Sequence, residues 1–317
     1  MTSLQSQLEA DLLRNPEDRL THMAYGDYLA EQGEPRGELI QVQLALEDGQ
    51  RLAWQREELR RREGELLDRH WRQLLGPLAD YVADRHTLNN RVQFRRGWLD
   101  SIRLGLFDTE LAHALVRTPN LQLLRSLRLI DTIPHRPAEG LDPAEALQIF
   151  CQVQTLPHLR SLSLGDHEGD AGFRSFSWPQ IQGVLQGFSH VEELNLNVRD
   201  AENQLLGIDF PSLKVLRLDR FRLGDQGLVA LMQAEWFSQL KILQIWNGHL
   251  TDSSVYLLLP WLRTHPLHLL DLSFNWLSES ALQLLQEVCE EFRAEYQLTP
   301  ETDVEYLDEQ PVLYEDE

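Results

Sequence analysis

Lysine is almost missing from this chain. Of the 29 lysines and arginines in 317 residues, only Lys214 and Lys241 are lysines. Lysine-dependent phosphate chemistry is therefore poorly supplied, and no phosphate loop ending in Gly-Lys occurs. Cysteine is equally scarce: Cys151 and Cys289 are far apart, which excludes a disulfide framework and fits a reduced cytoplasm. No apolar run reaches the ~18 residues of a membrane span. Met1 to Asp18 lacks the charged-then-apolar layout of a signal peptide, so a cytoplasmic protein with no membrane partner is expected. Positive charge is in deficit. The net charge of −21 argues against nucleic acid or an anionic membrane as partner, since both need a basic footprint. Much of that charge is local, with eleven acids and one arginine between Glu290 and Glu317.

Catalytic signatures are missing too. There is no Gly-x-Ser-x-Gly and no His-Glu-x-x-His. The nearest thing to a metal cluster is Asp166-His167-Glu168-Gly169-Asp170, whose oxygen and imidazole groups suit a divalent ion. The same polar composition is what an exposed loop requires. His265-Pro-Leu-His268 reads as a turn, and Cys289, on an apolar helical stripe, reads as a buried thiol. No cofactor, metal or catalytic residue is assigned on these grounds.

What the chain does contain is periodicity. Leu223-Gly-Asp-Gln-Gly-Leu228, Leu250-Thr-Asp-Ser-Ser-Val255 and Leu277-Ser-Glu-Ser-Ala-Leu282 start 27 residues apart. Between them lie Leu240-Lys-Ile-Leu243-Gln-Ile245 and Leu267-His-Leu-Leu270-Asp-Leu272, again offset by 27. Apolar residues two apart share one face of a strand, and those three or four apart share one face of a helix. Asp225, Asp252 and Glu279 stand ahead of the helical stripes, where Asp is a good N-cap and either acid suits the helix dipole. The strand pattern recurs from Leu213, Val191, Leu159, Leu124 and, more weakly, Leu99, at spacings of 22 to 35 residues. One strand and one helix cannot bury an apolar face alone; stacked copies with parallel strands can.

The pattern L-x-x-L-x-L-x-x-N-x-L, matched in full by Leu267 to Leu277, resembles leucine-rich repeats. The 27-residue period and the L-x-D-x-G-L helix start are similar to the ribonuclease-inhibitor-like subclass. The resemblance implies an α/β fold: a solenoid with parallel strands on a concave face and helices on the convex face. It also implies that protein partners bind the concave wall. Residues between the leucines would line that wall: Arg103, Arg128, Asn195, Arg217, Gln244 and Asp271 at the central position. Asn197, Asp219 and Trp246 follow two residues later, with Arg220 next to Asp219. Trp and Arg are the usual hot-spot chemistry. Phe274 and Trp276 read as fillers of the turn after the last strand.

The first 90 residues read as all-α. Leu4, Leu8, Leu12 and Leu13 form one stripe, and Leu20, Met23, Ala24, Tyr28 and Leu29 the next, with Asn15-Pro16-Glu17-Asp18 as stop and start. Further helices are expected over 38–47 and 50–75. Arg60, Arg61 and Arg62 alternate with glutamates at pairing distance, which describes a solvated face. Tyr25, Asp27, Leu29, Gly33, Pro35, Arg36, Gly37 and Glu38 resemble the core of the bacterial repeat-companion domain, with Tyr28 where that family often has Trp. That resemblance implies architecture and a bacterial source but no reaction. Val92 to Trp98 reads as an extended lead-in to the array.

The expected division is a helical domain over 1–90, a leucine-rich-repeat solenoid over 91–290 and an acidic tail over 291–317. The helix begun at Glu279 is expected to run on through Phe292. Loops are expected over 134–143 and 165–179. Together these features suggest a monomeric, non-catalytic adaptor that binds a protein. The rival is an acidic inhibitor or immunity protein for a basic toxin or nuclease, since opposite charge speeds association. A metal-dependent enzyme using the loop from Asp166 to Asp170 is the remaining alternative.

Overall fold

A computed structural model describes residues 3–82, 91–105, 108–129, 143–151, 156–165, 176–199 and 204–299. The loop from Asp166 to Asp170, Ile130 and the acidic segment beyond Thr299 lie outside the described residues. The chain is α/β, with a helical N-terminal region and a mostly parallel sheet that does not close. It divides into two compact units. The first holds Met1–Leu104, Glu110–Leu127 and Gln152–Leu159; the second holds Gly105–Thr109, Arg128–Cys151 and Arg160–Glu317.

The first unit begins with four helices: α1 (Leu4–Arg14), α2 (Arg19–Glu31), α3 (Pro35–Leu46) and α4 (Ala53–Leu75). Ser3 and Asp18 cap α1 and α2 by accepting from the amides of Ser6 and Leu20. The buried face of α2 differs from the expected stripe. His22, Tyr25, Gly26 and Leu29 are inside, while Leu20 is 75% and Met23 46% exposed. The reason is steric. Gly26 lets α3 approach so closely that a Cβ on Gly37 would lie 2.6 Å from the Gly26 carbonyl oxygen. That contact fixes the rotation of α2 and points Tyr25 at Trp98, with ring centroids 5.7 Å apart. Leu12, Ile40 and Leu44 complete this core, with Leu8 and Leu13 packed on its edge.

The expected lead-in proves to be one arm of a hairpin. β1 (Val92–Arg95) pairs antiparallel with β2 (Trp98–Leu104). The turn residues Arg96 and Gly97 both have positive φ, 50° and 74°, as a two-residue hairpin turn demands. This turn is held by charge. Arg95 grips Glu17 through two hydrogen bonds of 2.8 Å, and Arg96 grips Glu47 at 2.8 and 2.9 Å. The hydrogen bond from Arg95 holds the Glu17 carboxyl down at about 2. α5 (Thr109–Arg117), from Glu110 on, and the first half of β3 (Ser126–Leu129) also belong to this unit.

In the second unit, β4 (Ser161–Leu164), β6 (Glu193–Arg199), β7 (Val215–Asp219), β8 (Ile242–Trp246), β9 (Leu269–Asp271) and β10 (Glu291–Arg293) run parallel in that order. A short β5 (Phe176–Ser177) pairs with the end of β6. The register sets Leu162, Leu194, Leu216, Leu243 and Leu270 side by side, all fully buried. Helices α6 (Pro143–Cys151), α7 (Trp178–Gly187), α8 (Gly224–Met232), α9 (Asp252–Leu262) and α10 (Glu279–Gln286) lie between the strands in sequence. The last helix stops at Gln286 and does not continue through Phe292. Instead Phe292 enters the register opposite Leu270, extending the sheet by one strand.

Of the acids expected as caps, Asp225 and Asp252 lie in the first turns of their helices and bond to the start of the next helix. Thr251 and Ser278 are the N-caps, accepting from Ser253 and Ala281. Asp225 reaches forward to the amide and hydroxyl of Thr251, at 3.0 and 2.6 Å, and to Ser254. Asp252 repeats this with Ser278, at 2.8 and 2.7 Å. Each carboxylate thus ties one helix start to the next.

Candidate functional site

Parallel pairing aligns Asn195 with Arg217, Arg217 with Gln244, and Gln244 with Asp271. Adjacent strands stand ~4.8 Å apart, so polar side chains in one row are within reach of each other. They use that reach. Arg217 Nη1 donates to Asn195 Oδ1 at 2.9 Å and to the Glu193 carboxylate, while its Nε donates to Gln244 Oε1. Gln244 Nε2 donates to Asp271 Oδ2 at 3.1 Å. Asp271 Oδ1 accepts from the amide and hydroxyl of Ser273, at 3.0 and 2.7 Å. A second, shorter row lies two residues on. There Asp219 accepts from Asn197 Nδ2 at 3.0 Å and from Asn247 Nδ2 at 2.9 Å.

These lateral bonds sort the ten residues offered by the sequence. Asn197, Asp219, Gln244 and Asp271 are only 3–6% exposed, and their polar atoms hold neighbouring strands together. Asn195, Arg217, Arg220 and Trp246 remain half-buried and present accessible surface on the same unit. Arg103 stands on β2 in the first unit and Arg128 on β3; both are half-buried. Glu193, on the Arg217 guanidinium, was not picked out in the sequence. Its signal was there: it precedes Asn195 by two residues and so shares its face.

The turns after β7, β8 and β9 are built alike. Arg220, Asn247 and Phe274, 27 residues apart, have φ of 58°, 49° and 60°. Left-handed backbone is unfavourable for residues other than Gly and Asn, so the surrounding structure must impose it. The imposing group is visible at Asn275, which is fully buried. Its Oδ1 accepts from the amides of Gly248 and Leu250 at 3.0 and 3.1 Å. Its Nδ2 donates to the carbonyls of Ile245, Leu272 and Ser273 at 2.7–3.1 Å. Trp276 stacks on His249, with centroids 4.6 Å apart, and Phe274 stacks on Tyr296 at 5.5 Å. Phe274 and Trp276 therefore furnish the turns.

Reactive groups are few. Burial pushes the Cys289 thiol up to about 11, which leaves it a poor nucleophile at neutral pH. Among the described residues no cluster of three or more His, Cys, Asp or Glu side chains is placed to hold a metal ion. No described helix is long and apolar enough to cross a membrane. Compared with protein-family models and with curated proteins, the chain matches none.

Proposed function

We propose that the chain is a non-catalytic adaptor or regulator of the leucine-rich-repeat kind, and that it engages a protein partner across the strand face of its second unit. The observation that carries this reading is the row Asn195, Arg217, Gln244, Asp271. A face whose polar groups are already paired side to side is rigid before contact, so docking orders few side chains. Arg217 and Arg220 supply charge at its accessible positions, and Trp246 supplies a large half-buried ring. Trp and Arg of this kind form the anchors of protein interfaces. The 27-residue offset shared by strand register, left-handed turns and forward-reaching acids supports the repeat assignment.

Affinity capture with the intact chain and with Trp246→Ala plus Arg220→Ala tests the face. Loss of a captured protein, with unfolding transitions unchanged, is the expected outcome; equal capture removes the assignment. Arg217 is a poorer probe, because truncating it leaves Glu193 and Gln244 without their donor. The net charge of −21 favours a second reading, an inhibitor of a basic toxin or nuclease. Under it, the association rate falls steeply as salt is raised.

A further inference from the structure

A cleft of about 470 Å³ opens in the first unit where α1, α2, α3 and the end of α4 meet Asn120. Its size is within the range of small-ligand sites. Arg36, in the first turn of α3, is the cation in its wall. The guanidinium is fixed by two aromatic faces, 5.1 Å from the Tyr25 ring centroid and 4.6 Å from that of Trp98. It donates to Asn120 Oδ1 and to the Tyr25 hydroxyl, two uncharged acceptors. Elsewhere in this unit the guanidinium forks of Arg61, Arg62, Arg95 and Arg96 each hold a carboxylate. Arg36 has none among the described residues, and three of its five N–H groups remain to be used.

We propose that this cleft binds a monocarboxylate carrying a neighbouring amide, the chemistry shared by an N-acylated amino acid and a peptide C-terminus. Arg36 would take the carboxylate through its planar fork. Single negative charge is selected because Glu34 shares the wall, held by Gln73 at 2.9 Å. A phosphate dianion would meet that carboxylate with one cation to offset it. The rest of the polar lining is the Tyr28 phenol and four amides, Gln5, Gln32, Gln73 and Asn120. Gln5 and Gln73 each use their NH₂ on a glutamate, at 3.0 and 2.9 Å, which leaves their carbonyl oxygens to accept an amide N–H. The site belongs to the first unit, and the proposal stands whether or not the strand face of the second unit binds a protein.

The test is titration of the intact chain, by calorimetry and by the arginine side-chain NMR signals, with N-acetylglycine, N-acetylglycinamide, inorganic phosphate and N-acetyl-tetra-alanine with a free or amidated C-terminus. Saturable millimolar binding of the free carboxylates is expected, with the amidated forms and phosphate about tenfold weaker or worse, as loss of one charge-assisted pair implies. A tighter tetrapeptide than N-acetylglycine marks a peptide terminus as the ligand; the reverse order marks a small N-acyl amino acid. Arg36→Gln removes binding but also disturbs the aromatic stack. Gln32→Glu is the cleaner variant: Gln32 is exposed, and a second acid in the wall should weaken carboxylate binding about five- to tenfold with the melting temperature unchanged. Equal binding of carboxylate and amide, indifference to Gln32→Glu, or no saturable binding of either carboxylate overturns the proposal.

Discussion

Replacing Asn275 with alanine should damage this protein more than any surface change, and the size of the effect can be worked from its contacts. The side chain is fully buried and makes five hydrogen bonds, two accepted and three donated. Alanine deletes all five. The amides of Gly248 and Leu250, both buried, then have no acceptor at that position. The carbonyl of Leu272 keeps Gln297 Nε2 at 3.0 Å, so it loses less. An orphaned buried amide costs about 1–3 kcal/mol, and two of them set the scale. Asn275→Ala should therefore lower the stability of the second unit by about 3–5 kcal/mol. The left-handed turns at Asn247 and His249, which these bonds hold, should loosen with it. Urea unfolding followed by tryptophan fluorescence measures the first effect, and hydrogen exchange at Gly248 and Leu250 the second. A loss below about 1 kcal/mol, with both amides still protected, would refute the reasoning.

Leu243→Ala should cost about 2–5 kcal/mol by the same unfolding assay, because the side chain is fully buried between Leu216 and Leu270. Gly37→Ala should destabilise the first unit strongly, since the new Cβ would strike the α2 backbone; a variant with unchanged melting contradicts the packing described. Glu17 has a folded pKa of about 2, below its ordinary 4.5. Its contribution is therefore present above pH 4.5 and lost as pH falls towards 2. The carboxylate is about half exposed, so screening limits the effect to about 1 kcal/mol, and Glu17→Gln should flatten the acid limb of stability against pH by that amount. Asp225→Ala and Ser254→Ala should be non-additive in a double-mutant cycle, since the two side chains share one hydrogen bond.

The regular half of the chain was legible because one geometric constraint repeats there. Leu216, Leu243 and Leu270 must share a face, and a 27-residue offset places them in register. What composition could not show was the direction of each polar side chain. Asp225 and Asp252 lie inside the first turns of their helices, past the cap positions, and their carboxylates accept from Thr251 and Ser278, the residues that cap the following helices. Gln244 and Asp271 were expected to face a partner, and they do share one face; closeness to the next strand draws them sideways instead. In the helical region the apolar stripe of α2 misled, since Leu20 and Met23 fit a helical period as well as Tyr25 and Leu29 do. The deciding feature, contact between Gly26 and Gly37, belongs to tertiary packing. The strand at Glu291–Arg293 was hidden for a related reason: three residues carry too little periodicity to be told from the end of a helix.

The claim that the strand face of the second unit is a binding surface is tested most directly by hydrogen exchange on the intact chain with and without its captured partner. Protection is expected in 215–219 and 242–246 and in the turns that follow them, centred on Arg220 and Trp246. Protection confined to the helices Asp252–Leu262 and Glu279–Gln286, with those strands and turns unchanged, would contradict it.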